Sequence, residues 1–249
     1  MKYKLAYLIA TGMRYDDAFI LQEIIKYHYK SNFLIIHSVF DPFDLYTPYL
    51  EDVVIKHHEN IHQLGSWLSI NQTIHKAYCL GCDYAVFTHA DTWFLSERIL
   101  LTWINALIEG ESIMVNTHSY KYKTLSTDCF LIDLKRAVEE NYFPHSFPDW
   151  IESDEEMYML MESRTGGINK NIINLEPRQL WMQDKKKYCN REECIPLQLV
   201  GHHYPQPKKQ RIREYGISAN IGKHTKRLLT SEFLSYYNLK HRTSYQPYV

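Results

Sequence analysis

Tyr84-Ala85-Val86-Phe87-Thr88-His89-Ala90-Asp91-Thr92 is the stretch on which the fold turns. A run of strand length, apolar in the middle, ends in a histidine and a carboxylate. A continuous run of this kind suits a strand buried on both faces, as in a parallel sheet covered by helices. Working back, Gly65 to Leu80 reads as a helix, Val53–Ile55 as a short apolar run, and Phe33–Phe40 as a longer one closed by Asp41-Pro42. Further back, Ile20, Leu21, Ile24, Ile25 and His28 make one face of a helix, with Asp16 or Asp17 as its expected cap. Tyr3–Ala10 is an apolar run ending at Thr11-Gly12. Strands alternating with helices predict an α/β sheet with parallel pairing, whose ligands sit beyond the carboxyl ends of the strands. Thr11, Asp41 and His89 to Asp91 all stand at such ends.

Forward of Phe94 the texture changes. A helix is expected at about 96–109, a strand at 113–117, a short run at 129–132 and a helical segment at 133–141. Pro144 and Pro148 bracket a loop, and a further helix is expected at about 154–164. From Asn171 on the chain is polar, with basic clusters at Lys185–Lys187 and Lys208–Arg213 and a tyrosine-rich end. No repeat or low-complexity segment interrupts it.

The 249 residues are 45% apolar and 23% charged, which fits a globule with a substantial core. Lys and Arg number 28 against 29 Asp and Glu, a net charge of -1 with 13 histidines neutral. That balance speaks against a nucleic-acid partner or bulk attraction to a membrane. No apolar run approaches the ~20 residues of a bilayer span. The start, Met1-Lys2-Tyr3-Lys4 before Leu5–Ala10, reads better as a first buried strand than as a signal peptide. The five cysteines (79, 82, 129, 189 and 194) are an odd count, which points to reduced thiols and a cytoplasmic protein. Cys79-x-x-Cys82 lacks the second pair that a zinc site needs. The nine glycines include no G-x-G-x-x-G, and the only Gly-Lys pair, Gly222-Lys223, is followed by His224. Both glycine cradles for phosphate are therefore absent.

Asp91 is the centre of the chemical reading. Mg²⁺ and Mn²⁺ take oxygen ligands and are commonly held by one or two carboxylates together with phosphate oxygens. A carboxylate at a strand's carboxyl end suits a metal–diphosphate. Equally, Asp91 or Ser96 can open the helix that follows.

The segment leading to Asp91 extends the reading. Gly65, Asn71, Ala77, Gly81, Asp83 and Tyr84 fall in register with the pattern of GT-A-type nucleotide-sugar glycosyltransferases of the family-2 kind. That pattern is N-x-G, a mid-helix asparagine, A-x3-G-x-D-Y, an apolar strand, then D-x-D. The chain resembles this family well over residues 3–95 and loosely over 113–205. The resemblance implies a GT-A fold: an α/β architecture with a single mostly parallel sheet flanked by helices, its Rossmann-like nucleotide-binding half merged with an acceptor-binding half. It implies a nucleotide-sugar-binding half at 1–95, an acceptor-binding and catalytic half at 96–205 and a C-terminal extension at 206–249. The implied reaction moves a sugar, with inversion, from a nucleotide-diphosphate sugar to a hydroxyl of a glycan or lipid-linked acceptor, in glycan or cell-surface polysaccharide synthesis. Peripheral contact with a membrane fits such an acceptor.

The family's first D-x-D aspartate is His89 here. The resemblance keeps Asp91 as the ligand for Mn²⁺ or Mg²⁺ and gives His89 a ribose contact, with one negative charge fewer at the site. Thr11-Gly12, with Arg14 beyond, resembles the loop that meets the base and phosphates. Asp41 matches an acid that contacts base or ribose. For Thr11, Gly12 and Asp41, turn chemistry is the competing reading: Gly12 permits a sharp reversal, and Asp41-Pro42 starts a turn.

Ser153-Asp154-x-Glu156-Met157 resembles the family's catalytic acid pair at a helix start, which makes Asp154 the base that takes the acceptor's proton, with Glu155 as a neighbour able to substitute. The same residues form a capping box. Gly201-His202-His203-Tyr204-Pro205 resembles the C-terminal histidine that completes a metal shell or touches the diphosphate; a solvated basic loop is the other reading. Asp128, in Ser126–Asp133, either binds sugar or caps a turn. Two rival functions remain open: a sugar nucleotidyltransferase, for which Thr11-Gly12-Met13-Arg14 is a poor first loop, and a non-catalytic carbohydrate-binding protein of the same fold.

Overall fold

Every residue of the first strand, β1 (Leu5–Thr11), is buried, which places it inside a sheet covered on both faces. A computed structural model describes residues 3–12, 15–58, 64–90, 97–119, 124–143, 159, 161–163 and 172–174. The elements after β1 are α1 (Tyr15–His28), β2 (Phe33–Phe40), β3 (Val53–His57), α2 (Leu64–Cys79), β4 (Tyr84–His89), α3 (Glu97–Gly110), β5 (Met114–Ser119), β6 (Thr124–Asp133), α4 (Leu134–Glu139) and β7 (Ile172–Asn174). One seven-stranded sheet runs β3-β2-β1-β4-β6-β5-β7. Only β6 runs against its neighbours, β4 and β5; the pairs β1–β2, β1–β4, β2–β3 and β5–β7 are parallel.

The two faces of the sheet carry separate cores. Tyr7, Ile9, Val86 and Leu131 face α1 and α3, meeting Leu21, Ile24, Leu100 and Trp103. Their neighbours in sequence, Leu8, Phe87 and Phe130, face the other way and meet Trp67, Ile70 and Ile74 of α2 and Leu134 of α4. This is the period of two that sends successive strand side chains to opposite faces.

Three local features bear on the site. First, α1 begins at Tyr15, so Asp16 and Asp17 lie in its first turn and do not cap it. The earlier start has a cause: the Tyr15 ring packs edge-on against Tyr46 at 5.2 Å, and its hydroxyl donates to Asp41 at 2.8 Å. Second, the parallel crossover from β2 to β3, residues 41–52, contains no helix. Buried Tyr46 fills that place, edge-on to His37 at 5.1 Å and stacked on Phe19 at 5.9 Å. Third, α2 ends in a Schellman motif. Gly81 has φ 74°, its N–H donates to Tyr78 C=O at 2.8 Å, and the Cys82 N–H donates to Ala77 C=O at 3.1 Å.

The strand β7 had no signal in the sequence, and of the helix expected at 154–164 only residues 159 and 161–163 are described, all helical. No helix among the described residues is long and apolar enough to cross a membrane.

Candidate functional site

The chain leaves β1 for β2 and β3 on one side and returns to β4 on the other. In such sheets the crevice beyond the carboxyl ends, where the strand order reverses, is where ligands bind. Register brings the predicted residues there. Thr11 lies opposite Val39 of β2, so Asp41 follows two residues beyond that level. Ala10 lies opposite His89 of β4, and the Ala90 N–H donates to Ala10 C=O at 2.9 Å. Thr11, Gly12, Asp41 and His89 therefore share one edge of three adjacent strands.

Each stands there differently. Thr11 is buried at 7% exposure, and its hydroxyl has no hydrogen-bond partner among the described residues. A buried hydroxyl of this kind is available to accept or donate a hydrogen bond. Gly12 is exposed, a Cβ on it would meet no atom within 4 Å, and its φ is outside the left-handed region. The backbone there does not need glycine for a reversal, and open space lies beside it. His89 is half-buried, with its ring edge-on to Phe87 at 5.9 Å on the α2 side of the sheet.

Asp41 is fully buried. Its Oδ1 accepts from the Tyr15 hydroxyl and the Leu45 N–H, both at 2.8 Å. Its Oδ2 accepts from the Tyr46 N–H at 2.8 Å and pairs with Lys56 Nζ at 3.3 Å. Burial pushes the carboxyl up. The two amides, the Tyr15 hydroxyl and the Lys56 ammonium outweigh it and hold it down to about 2. Burial, and then Asp41 itself, pushes the Tyr15 phenol up to about 12. The turn reading of Asp41 is thus visible in the structure: Asp41 C=O also accepts from the Asp44 N–H at 3.3 Å.

Nothing in the sequence marked Tyr15 and Lys56 as the partners of Asp41. The available signal for Lys56 was its place, with His57 and His58, at a strand's carboxyl end like that of Asp41. His57 Nε2 lies 2.8 Å from Ser38 Oγ, and Ser38 Oγ donates onward to Ser69 Oγ at 2.9 Å. With that hydroxyl proton committed and Ser38 fully buried, the pair ties β2 to β3 and α2 and has no exposed nucleophile.

Arg14, Asp91, Asp154, Glu155, His202 and His203 lie outside the described residues, as does the side chain of Asp128. Among the described residues no three metal-ligating side chains stand together. A cavity of about 340 Å³ lies at the opposite end of β4, lined by Tyr84, Leu107, Asp133 and Arg136 among others. It holds none of the predicted site residues.

No family model matches the chain, and no curated protein matches it in sequence. Solved structures do share its shape. The glycosyltransferase GlyE of Streptococcus pneumoniae TIGR4 superposes with a TM-score of 0.52 at 13% identity, over 100% of this chain and 66% of that one. The fold is of the GT-A type. Two further structures agree less closely and add nothing to that assignment. One, a proposed nucleotide-diphospho-sugar transferase of Desulfovibrio desulfuricans G20, has a TM-score of 0.46 at 10% identity, covering 69% of this chain and 79% of that one. The other, a CMP:2-keto-3-deoxy-manno-octonic acid synthetase complexed with CTP, has a TM-score of 0.43 at 10% identity, covering 70% and 89%.

Within this GT-A fold the A-x3-G-x-D-Y segment has a structural role. Ala77, in the last turn of α2, is fully buried, and Gly81 closes that helix. The Asp83 carboxylate accepts from the Lys4 N–H at 2.7 Å, and its N–H donates to Lys4 C=O at 2.8 Å. These residues fasten β4 to β1 at the amino ends, the far end of the sheet from the crevice. The segment marks the fold and lies at the opposite edge of the sheet from Thr11, Asp41 and His89.

Proposed function

We propose that this protein is a nucleotide-sugar glycosyltransferase that binds its donor in the crevice between β1 and β4. The observation that carries this reading is the buried Thr11 hydroxyl, without a partner among the described residues, beside the open space at Gly12, at the switch point of a GT-A sheet. In this reading Thr11 and the Gly12 backbone meet the donor, Arg14 offsets diphosphate charge, and His89 contacts the ribose. Mg²⁺ or Mn²⁺, when bound, neutralises charge on the departing diphosphate; Asp91 would hold it, with His202 or His203 assisting. Asp154 takes the proton of the acceptor hydroxyl, with Glu155 beside it, as that oxygen bonds to the sugar's anomeric carbon. The bond from that carbon to the diphosphate breaks on the opposite face, and the nucleoside diphosphate leaves with the electron pair. The acceptor class in this reading is a glycan or a lipid-linked sugar.

The test is release of UDP, GDP or CMP from a panel of sugar nucleotides, with and without Mn²⁺. Asp91→Asn is expected to abolish release, and Asp154→Asn to lose turnover while keeping donor affinity. An active Asp91→Asn protein removes the metal assignment; equal loss of turnover and affinity in Asp154→Asn leaves that residue only a helix cap. No release from any donor by the unaltered protein sinks the reading.

A further inference from the structure

We propose that Asp41 is a positioning residue: it builds residues 42–46 into a preformed wall of the donor crevice and does not itself touch the nucleotide. The proposal rests on the donor-binding reading above. An ionised carboxylate offers about four acceptor positions. Those of Asp41 are filled by the Tyr15 hydroxyl, the amides of Leu45 and Tyr46, and the Lys56 ammonium. Its side chain has no exposed surface. A ribose hydroxyl or base amine would have to evict one of these donors and open the core to reach it.

The bonds instead converge on the loop. The backbone of Asp41 is held as well, its N–H donating to His57 C=O at 2.8 Å and its C=O lying 3.2 Å from His58 Nδ1. Lys56 bridges onward to Asp44. Asp44 takes a left-handed conformation, φ 51°, which an aspartate tolerates but which the surroundings must impose. Phe43 and Leu45 are left 69% and 68% exposed. Their burial therefore does little to hold the loop, and the buried carboxylate at its start supplies what the core does not. The loop leaves β2 two residues past the level of Thr11, beside the crevice. A wall already ordered spares the ligand the cost of ordering it.

Tyr15→Phe removes one donor to Asp41 and keeps the ring against Tyr46. Asp41→Asn turns one acceptor into a donor facing a donor. Amide exchange at Leu45 and Tyr46, the melting temperature, and donor KM and kcat are measured for both, with UDP, GDP and CMP affinity by calorimetry. For Tyr15→Phe we expect exchange at the two amides and donor KM each to rise about threefold to tenfold, the scale of one lost hydrogen bond. kcat should hold, and the melting temperature should fall by only a few degrees. Asp41→Asn should move the same quantities further. Should Asp41→Asn not fold, Tyr15→Phe decides alone. The proposal is overturned if Tyr15→Phe leaves exchange and KM unchanged while Asp41→Asn loses donor, the signature of direct contact. It is also overturned if the amides loosen and KM does not move. A wild-type protein that binds none of the three nucleotides overturns the donor reading itself, whatever the exchange rates show.

Discussion

His37 shows how one side chain sets the acid limit of the fold. It lies fully buried in β2 on the α1 side. Its Nδ1 lies 2.8 Å from the Tyr46 hydroxyl, which donates to Glu51 at 2.7 Å, and 3.1 Å from Gln22 Nε2. Nε2 has no hydrogen-bond partner among the described residues, so an imidazolium here would leave its N–H unsatisfied. Protonating the ring would also put a charge into the core, and burial accordingly lowers its pKa to about 3. The unfolded chain takes up this proton near pH 6.5 and the folded one only near 3. Stability from this group is therefore full above 6.5 and falls with pH across that window, by at most ~1.4 kcal/mol per unit. Asp41 acts in the same sense at lower pH: its depressed carboxyl contributes its full stability above the ordinary carboxylate range and loses it as pH falls towards about 2. Urea unfolding at pH 6, 5 and 4 should show wild type losing stability faster than His37→Gln; parallel curves would remove His37 as the cause.

At the scale of elements, Gly81 gives the sharpest expectation. Its φ of 74° is one that only glycine adopts without cost, and a Cβ there would meet nothing within 4 Å. The cost of Gly81→Ala is then conformational alone, roughly 1 kcal/mol, with Asn recovering part of it. Denaturant unfolding measures both; a loss of several kcal/mol would mean that the C-cap carries more than backbone strain. Strands β1, β2 and β4 and helix α2 were legible in the sequence because their apolar runs are long and their ends are marked by Thr11-Gly12, Asp41-Pro42 and Gly81. Only residues 129–132 of β6 could be read, since Thr124–Asp128 is mostly polar and owes its place to pairing with β5. Three residues of β7 hold no period at all. The site was legible to the same degree. Strand ends named Thr11, Asp41 and His89, yet the contact of Asp41 with Tyr15 spans 26 residues and follows only from the sheet's register.

Over the whole molecule, the reversed strand β6 decides whether the two halves read from the sequence unfold as one. It joins β4, from the stretch before residue 95, to β5 from the stretch after it. Phe130 sits at that seam, in register with Phe87 and stacked on it at 5.0 Å, with Phe143 6.4 Å away. The β4–β6 pairing thus carries hydrogen bonds and the α2-side core across the seam, so β4 cannot keep its environment once β6 leaves. Phe130→Ala should cost ~3–5 kcal/mol, the range for emptying a packed aromatic site. The loss should appear equally in native-state hydrogen exchange at Leu8 in β1 and Val115 in β5, because both unfold only globally. Loss of protection confined to β5 and β6 would show instead that the sheet opens at β4. The proposed donor crevice would then rest on β1 to β4 alone, and donor affinity would survive the substitution.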